Sequence, residues 1–310
     1  MKAAINILAL YLDCQEDNDP VITSVEKDII EKIENDVIDK LDIQASVYYR
    51  NLNNGPWFTI NKDLHFSGAS LNKIPLAIAY LKLSEATPGI LDKEITLDSN
   101  ECPHRPQLFE PQDELVNGQN YTVRYLLEKL LTQSNNDAEC MLFKNIDYKF
   151  IRKVYNDLGL EEVQLERRNN EISIYETIAP GVKLDINNTY YMQVKYYSSI
   201  FRMLYNSSFL NRENSEYILN ILSSSTFNEG ITKQLPDDIT VSHKFGSKGD
   251  VYGNDSILDK YSQLHDCGIV YYPNNPYLLC VMTKGQVSGV LSEAISNISN
   301  IIFEAISFEK

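Results

Sequence analysis

Apolar residues along the chain follow two spacings, one typical of helices and one typical of strands. Steps of three and four residues predict helices at 22–41, 71–83, 123–131, 192–204 and 290–308. Shorter apolar runs predict strands at 45–52, 57–60, 240–245, 268–272 and 277–283. The predicted strands therefore lie near both chain ends, and a mainly helical middle separates them.

Local signals mark the ends of several of these elements. Thr23, with Glu26 three residues later, predicts a capping box at the start of the first helix. The Asn-Asn-Gly segment at 53–55 predicts a hairpin turn between the first two strands. The polar, Pro-containing segments at 102–112 and 164–188 are expected to be loops.

This order of elements predicts an α+β fold, in which an antiparallel sheet is flanked by the terminal helices and joined by an all-α insertion. We expect one subdomain to combine residues 15–66 with 215–310, and a helical subdomain to span 67–214. Because clefts tend to lie between two such parts, the functional site is expected there.

The composition is that of a globular protein and excludes several classes of function. The chain has 310 residues, 43% of them hydrophobic, and a net charge of −15, so it offers no basic face for nucleic acid. No apolar run has the length of a membrane span. The apolar segment at 3–12 weakly resembles a signal peptide core, but Asn6 interrupts it and no small-residue cleavage site follows.

The five cysteines form no C-x-x-C pair, and the four histidines show no metal-ligand spacing. We therefore expect no metal and no organic cofactor. The odd number of cysteines favours free thiols over a disulfide framework. Cys267 and Cys280 lie in apolar, strand-like runs and are expected to be buried as small hydrophobic residues.

Ser70 and Lys73 are candidates for chemistry because side chains one helical turn apart face the same way. A Ser hydroxyl becomes a good nucleophile only when a neighbour takes its proton, and a buried Lys whose pKa is lowered can do so. The same S-x-x-K spacing recurs at 24–27 and 307–310, so spacing alone does not select Ser70. Taken singly, Ser70 could equally be a helix N-cap.

Two further motifs follow in order, Ser-Asn-Asn at 134–136 and Lys-Phe-Gly at 244–246. Together with Ser-x-x-Lys at 70–73 they resemble the S-x-x-K, S-x-N and K-T-G set of class A β-lactamases and penicillin-binding proteins. The surrounding segments are also similar to this family, from about residue 43 to the C-terminus. The resemblance implies the β-lactamase/transpeptidase-like fold.

The resemblance also implies a role for each motif residue. Ser70 would be acylated, Lys73 would be the acylation base, and Ser134 would relay a proton to the leaving nitrogen. Lys244 would attract a substrate carboxylate and help to lower the pKa of Lys73. Asn136 would hold either the substrate or Lys73, and further contacts with the substrate would come from Gly246, Ser247 through its backbone N–H, and the aromatic side chain of Phe109.

At two positions the chain departs from the family. Residue 245 is Phe where the family usually has Ser or Thr, so a hydroxyl that would bind a substrate carboxylate is missing. Cys267 stands where many class A enzymes carry a carboxylate-binding Arg. Both departures weaken the expected anion site and leave the substrate open.

The residue that releases the acyl group is also open. In class A β-lactamases it is a Glu in a loop after the helical segment, and here the loop offers Glu171 and Glu166. Counting back from the end of the loop favours Glu171, whereas Glu166 has the family's spacing to Asn170. Aligning 165–167 with the family's L-D-R places Asn169 at the position instead. Glu171 ranks slightly first, and the absence of any such base is an equal alternative.

These choices separate three functions. With a placed carboxylate, the protein is a serine hydrolase that is acylated on Ser70 by a β-lactam or related amide and hydrolyses the acyl-enzyme. Without it, the protein resembles a penicillin-binding D-Ala-D-Ala carboxypeptidase that deacylates slowly or not at all. A non-catalytic binder of cell-wall peptides is the third hypothesis, against which the retained Lys73 argues. We expect a monomer with a small-molecule substrate and, from the family, a periplasmic or cell-surface location.

Overall fold

The computed structural model describes residues 23–53, 55–160, 163–168, 171–176, 191–249, 262–286 and 288–308, and it gives the two segments between 163 and 176 as backbone alone. The helices are α1 (Ser24–Ile33), α2 (Lys73–Ser84), α3 (Val123–Thr132), α4 (Asn136–Lys144), α5 (Tyr148–Asp157), α6 (Val194–Tyr205), α7 (Arg212–Leu222) and α8 (Ser288–Phe308). The strands are β1 (Gln44–Asn51), β2 (Trp57–Ile60), β3 (Phe66–Ser67), β4 (Glu94–Thr96), β5 (Asn120–Thr122), β6 (Val163–Arg168), β7 (Glu171–Glu176), β8 (Tyr191–Met192), β9 (Val241–Lys248), β10 (Ser262–Val270) and β11 (Tyr277–Gly285).

The predicted central sheet is confirmed. Its five strands are all antiparallel and run in the order β2-β1-β11-β10-β9, so strands from the two chain ends pair through β1 and β11. Strand β10 begins at Ser262, six residues before the predicted start at 268. The polar residues Gln263, His265 and Asp266 hid this part of the strand, although all three are buried.

A hydrophobic core lies on each face of the sheet because successive side chains of a strand point to opposite faces. Val47 and Tyr49 pack with α1 and α8 on one face, whereas Tyr48 between them packs with the helices of the insertion on the other. The predicted capping box is present, since the Thr23 hydroxyl accepts from Glu26 N and the Glu26 carboxylate accepts from Thr23 N. The terminal helices thus cover the face opposite the insertion.

The helical insertion is built around α2, which is buried from Lys73 to Leu81. This continuous burial explains why its sequence is apolar on all sides rather than on one stripe. The boundaries of the two subdomains, at residues 66 and 214, stay a prediction. None of the helices in the described ranges is long and apolar enough to cross a membrane.

The expectation of free thiols is wrong for four of the five cysteines. Cys102 forms a disulfide with Cys140, their Cα atoms 5.7 Å apart, and Cys267 forms one with Cys280, directly opposite on β10 and β11. An odd number of cysteines leaves one unpaired but does not prevent pairs among the rest. Cys14 lies outside the described residues.

The segment at 164–188, predicted to be a loop, contains the antiparallel hairpin of β6 and β7. The alternation of Ile172 and Ile174 with polar neighbours is the strand signal that the loop prediction overlooked. Strand β7 lies beside α4, which brings the hairpin close to the Ser-Asn-Asn segment.

Candidate active site

Ser70 lies in a tight turn between β3 and α2. The turn is a 3-10 helix at Ala69–Asn72, and Ala69 adopts a left-handed conformation with φ of 45°. A 3-10 turn here, rather than the predicted regular helix, presents Ser70 at the surface of a cleft. Left-handed backbone in a residue other than glycine is strained, and such strain is often found at functional sites.

Strand β9 packs directly against this turn at Gly246. A Cβ atom added to Gly246 would lie 3.1 Å from the Gly68 carbonyl oxygen and the Leu71 nitrogen, and 3.2 Å from the Ser70 nitrogen. Since a side chain would push the strand away, glycine keeps the backbone of β9 next to Ser70. Gly246 therefore lies in close contact with the turn that carries Ser70, and its predicted contact with the substrate stays a prediction.

Buried hydrogen bonds hold this turn in place on the side that faces the protein interior. The Tyr197 hydroxyl donates to Asn72 Oδ1 at 2.7 Å, inside the 3-10 helix. His265 is fully buried in β10, and its Nε2 contacts the Ser67 carbonyl oxygen at 2.8 Å while its Nδ1 accepts from Thr283 N. Burial lowers the pKa of His265 to about 4, so the neutral ring donates to Ser67 at neutral pH. The sequence offered no signal for this tether.

Lys73 lies beneath the cleft, and only 1% of it is exposed. Its Nζ donates to the Ser134 carbonyl oxygen at 2.5 Å and to Asn136 Oδ1 at 2.7 Å, and it lies 3.3 Å from Ser134 Oγ. Burial is the largest cause that lowers the pKa of Lys73 to about 8. The structure thus joins Lys73, Ser134 and Asn136 in one hydrogen-bonded group, as the motif order predicts.

Ser134 and its neighbours form the junction between α3 and α4. Ser134 is buried and left-handed, with φ of 57°, and Asn135 caps α4 by accepting a hydrogen bond from Ala138 N. The segment is therefore both a helix boundary and part of the site.

Lys244 differs from its predicted role. It is fully buried, its Nζ donates to the Phe245 carbonyl oxygen at 2.8 Å, and it lies 4.1 Å from the centre of the Phe245 ring. Burial, and then the neighbouring charge of Lys73, lower the pKa of Lys244 well below its usual value. The nearby cation that lowers the pKa of Lys73, after burial, is Arg105 rather than Lys244.

Phe245 belongs to an aromatic cluster that walls the cleft. Its ring stacks on Phe227 at 4.3 Å between centroids and meets Phe109 edge-on at 5.4 Å. Phe109 is therefore at the cleft, as predicted, whereas Phe227 was missed because nothing near it in sequence resembles a motif. The missing hydroxyl at 245 is replaced by a packed apolar surface rather than by another polar group.

Cys267, the second departure from the family pattern, also supplies no group that would bind a substrate carboxylate. Its sulfur bonds to Cys280, and the residue lies opposite Lys244 in the sheet, where it offers no positive charge. His243 hydrogen-bonds to Asp266 in the interior at 2.9 Å. Among the residues that the structure describes, no cluster of His, Cys, Asp and Glu could hold a metal ion.

The cleft has a volume of about 290 Å³ and brings several predicted residues together. Lys73 and Lys244 lie below its surface. Glu139, on α4, lines it and was missed, although it follows Asn136 by three residues and so shares a helix face with it. The predicted residues that line the cleft are Ser70, Phe109, Ser134, Asn136 and Ser247, with Phe245 beside them.

Glu166 and Glu171 lie on the β6–β7 hairpin. Glu166 pairs with Ser173, and Glu171 pairs with Arg168 next to the turn. Their side chains, and the positions Asn169 and Asn170, lie outside the described part of the structure. Whether either carboxylate acts on the site stays a prediction.

The fold and the serine–lysine cleft together define a protein of the β-lactamase/transpeptidase type. The chain belongs to the β-lactamase enzyme family, whose model matches residues 28–306. The predicted resemblance is thereby confirmed.

Individual relatives agree with this assignment. β-Lactamase VEB-1 of Pseudomonas aeruginosa is 25% identical over 262 residues, which cover 81% of each chain. A β-lactamase from Chitinophaga pinensis has the same fold with a TM-score of 0.73 and 20% identity, covering 90% of this chain and 99% of its own. PBP-A matches with a TM-score of 0.70 and 19% identity, covering 90% and 96%.

Proposed function

We propose that the protein is a serine hydrolase. It would form an acyl-enzyme on Ser70, with a β-lactam or related amide as substrate. The observation that carries the proposal is the buried Lys73 amine, which is hydrogen-bonded to Ser134 and Asn136 beneath the cleft that Ser70 lines. Family membership and the similarity to VEB-1 support the same function.

The proposed acylation uses the amine in its neutral form. Because the pKa of Lys73 is lowered to about 8, roughly a tenth of the amines are neutral at pH 7. Neutral Lys73 takes the proton of Ser70, whose oxygen attacks the amide carbonyl carbon. Ser134, in contact with Lys73, gives its proton to the leaving nitrogen as the C–N bond breaks and takes one from the Lys73 ammonium, which becomes neutral again.

The developing oxyanion needs two donors. The backbone N–H groups of Ser70 and Ser247 are the proposed pair, and the close packing at Gly246 brings their two segments together. Substrate contacts are proposed for Asn136, Phe109 and the edge of β9. Lys244 is proposed to support this wall from below rather than to contact the substrate directly, since it is fully buried.

A penicillin-binding protein that deacylates slowly is the second candidate. Two observations favour it: the similarity to PBP-A, a variant of which was solved as an acyl-enzyme complex with penicillin G, and the weakened anion site at Phe245 and Cys267. For deacylation the sequence offers Glu171 and Glu166. A non-catalytic binder is less well supported, because a binder has no need of an amine with a lowered pKa.

The remaining expectations are proposals as well. A small-molecule substrate suits a cleft of about 290 Å³, and a monomer that works without a cofactor is proposed with it. An extracytoplasmic location fits the two disulfides, since such bonds persist in oxidising compartments.

Incubation with a chromogenic cephalosporin and a fluorescent penicillin, followed by mass measurement of the intact protein, tests the proposal. We expect hydrolysis or a covalent adduct that Ser70→Ala abolishes. Ser24→Ala, in a matching S-x-x-K segment on α1, is the control and should leave both unchanged. Fast turnover without an adduct supports the hydrolase, a stable adduct supports the penicillin-binding alternative, and the absence of both contradicts the proposed substrate class.

A further inference from the structure

Glu139 is the one acidic residue among the described residues that line the cleft. It shares that lining with Ser70 and Ser134, and only 17% of its side chain is exposed. A carboxylate in such a place is costly to bury without a partner. A carboxylate that only improved solubility would lie on the exposed surface, so the position of Glu139 in the cleft needs another explanation.

Two cations lie near the Glu139 carboxylate without donating a hydrogen bond to it. Its Oε2 lies 3.9 Å from Lys73 Nζ and 3.8 Å from Arg105 Nη2, both beyond hydrogen-bond length. The donors of Lys73 are directed instead at Ser134 and Asn136. The carboxylate is attracted into the cleft while its oxygens keep the capacity to accept a hydrogen bond from water.

We propose that Glu139 is the general base that activates the water for deacylation, an inference that rests on the proposed acyl-enzyme at Ser70. The Glu139 carboxylate takes a proton from water, and the water oxygen bonds to the ester carbonyl carbon. Protonated Glu139 passes this proton to Lys73, which acylation has left neutral. As the bond from that carbon to Ser70 Oγ breaks, Lys73 gives the proton to Oγ, so that Glu139 is ionised and Lys73 neutral again.

This assignment differs from the loop carboxylates that the resemblance implies. Glu166 and Glu171 are on a separate hairpin, whereas Glu139 is on α4, the helix that also carries Asn136. Glu139 lies close enough to Lys73 for protons to pass between these two side chains during deacylation. The pattern S-x-N-x-x-Glu would then mark both the acylation and the deacylation machinery.

Glu139→Gln tests the inference, because the amide keeps the shape of the side chain but cannot take a proton. With benzylpenicillin we expect an initial burst of acylation, a deacylation rate at least about 100-fold lower than that of the unmodified protein, and an adduct of the full substrate mass on Ser70. Asp137→Asn is the matched control, since it removes a nearby negative charge from the same helix without removing a carboxylate from this cleft. It should deacylate normally.

Four outcomes would overturn the inference. If Glu139→Gln turns over normally while Glu171→Gln or Glu166→Gln accumulates the adduct, the base is on the hairpin. If Glu139→Gln slows acylation and deacylation equally, Glu139 only positions Lys73. If the unmodified protein already holds a stable adduct, acylation at Ser70 stands and only the role of Glu139 fails; if it neither hydrolyses the substrate nor forms an adduct, the proposed function fails as well.

Discussion

The two walls of the cleft differ in how far they follow the family pattern. On the α2–α4 wall, Lys73 is hydrogen-bonded to Ser134 and Asn136 as the motifs predict. On the β9 wall, Lys244 is turned onto its own neighbour, Phe245, whose ring joins an aromatic cluster. Under the proposed function, the groups that would form the acyl-enzyme follow the family pattern, whereas the groups that would recognise the substrate depart from it.

The sharpest test of this comparison replaces each buried lysine with Met, which is close to Lys in shape. Lys73→Met should reduce acylation by about 1,000-fold, because no amine remains to accept the Ser70 proton. Lys244→Met should cost less than roughly tenfold, chiefly through KM. Stopped-flow acylation with a fluorescent penicillin measures both, and equal losses would break the distinction between the walls.

The same measurement on the unmodified protein has a predicted pH dependence. Lys73 must be neutral to act, so the acylation rate should rise as pH increases towards its lowered pKa of about 8 and level off above it. A rate that is flat between about pH 6 and pH 9 would contradict the role of the amine.

The fold around the cleft should also lose stability in mild acid, through His265 on β10. Its pKa is lowered to about 4 in the folded protein but returns to about 6.5 on unfolding, so the unfolded chain binds the extra proton. Its contribution is therefore complete above pH 6.5 and is lost as pH falls towards 4, by about 3 kcal/mol in the free energy of unfolding.

Urea unfolding at about pH 7.5 and pH 4.5 measures this loss, compared between the unmodified protein and His265→Gln. The Gln side chain stays neutral and can still donate to the Ser67 carbonyl oxygen. Its stability should depend less on pH over this interval. An unchanged dependence would show that other groups are responsible.

The smallest expected effect concerns the β9 wall. Phe245→Thr supplies the hydroxyl that the family pattern has at this position, and we expect about tenfold faster acylation by penicillins that carry a free carboxylate. Phe245→Leu is the matched control, since it shortens the side chain without adding a hydroxyl. A penicillin methyl ester should not benefit, and an equal gain in both variants would mean that only space was limiting.

The sequence predicted what local patterns and ordered motifs can encode. The hairpin, the C-terminal strands and the positions of Ser70 and Ser134 followed from periodicity and from the family motifs. The burial of Lys244 did not, because it depends on which way a strand residue faces in a sheet assembled from both chain ends. Glu139 was overlooked since its distance to Lys73 exists only after α2 and α4 have packed.

The cysteine pairs show the same limit. Cys102 and Cys140 are 38 residues apart, and only the packing of the loop at 98–115 against α4 brings them together. Counting residues could not reveal this contact.

That disulfide ties together two parts of the cleft that have no other covalent link nearby. Cys140 follows Glu139 directly, and the segment after Cys102 carries Arg105 and Phe109, of which Arg105 accepts a hydrogen bond from Asn136 through its carbonyl oxygen. Closing a loop of 38 residues restricts the unfolded chain by roughly 4 kcal/mol. A reductant in the surrounding compartment would therefore lower the stability of the fold next to Glu139 without reacting with Ser70.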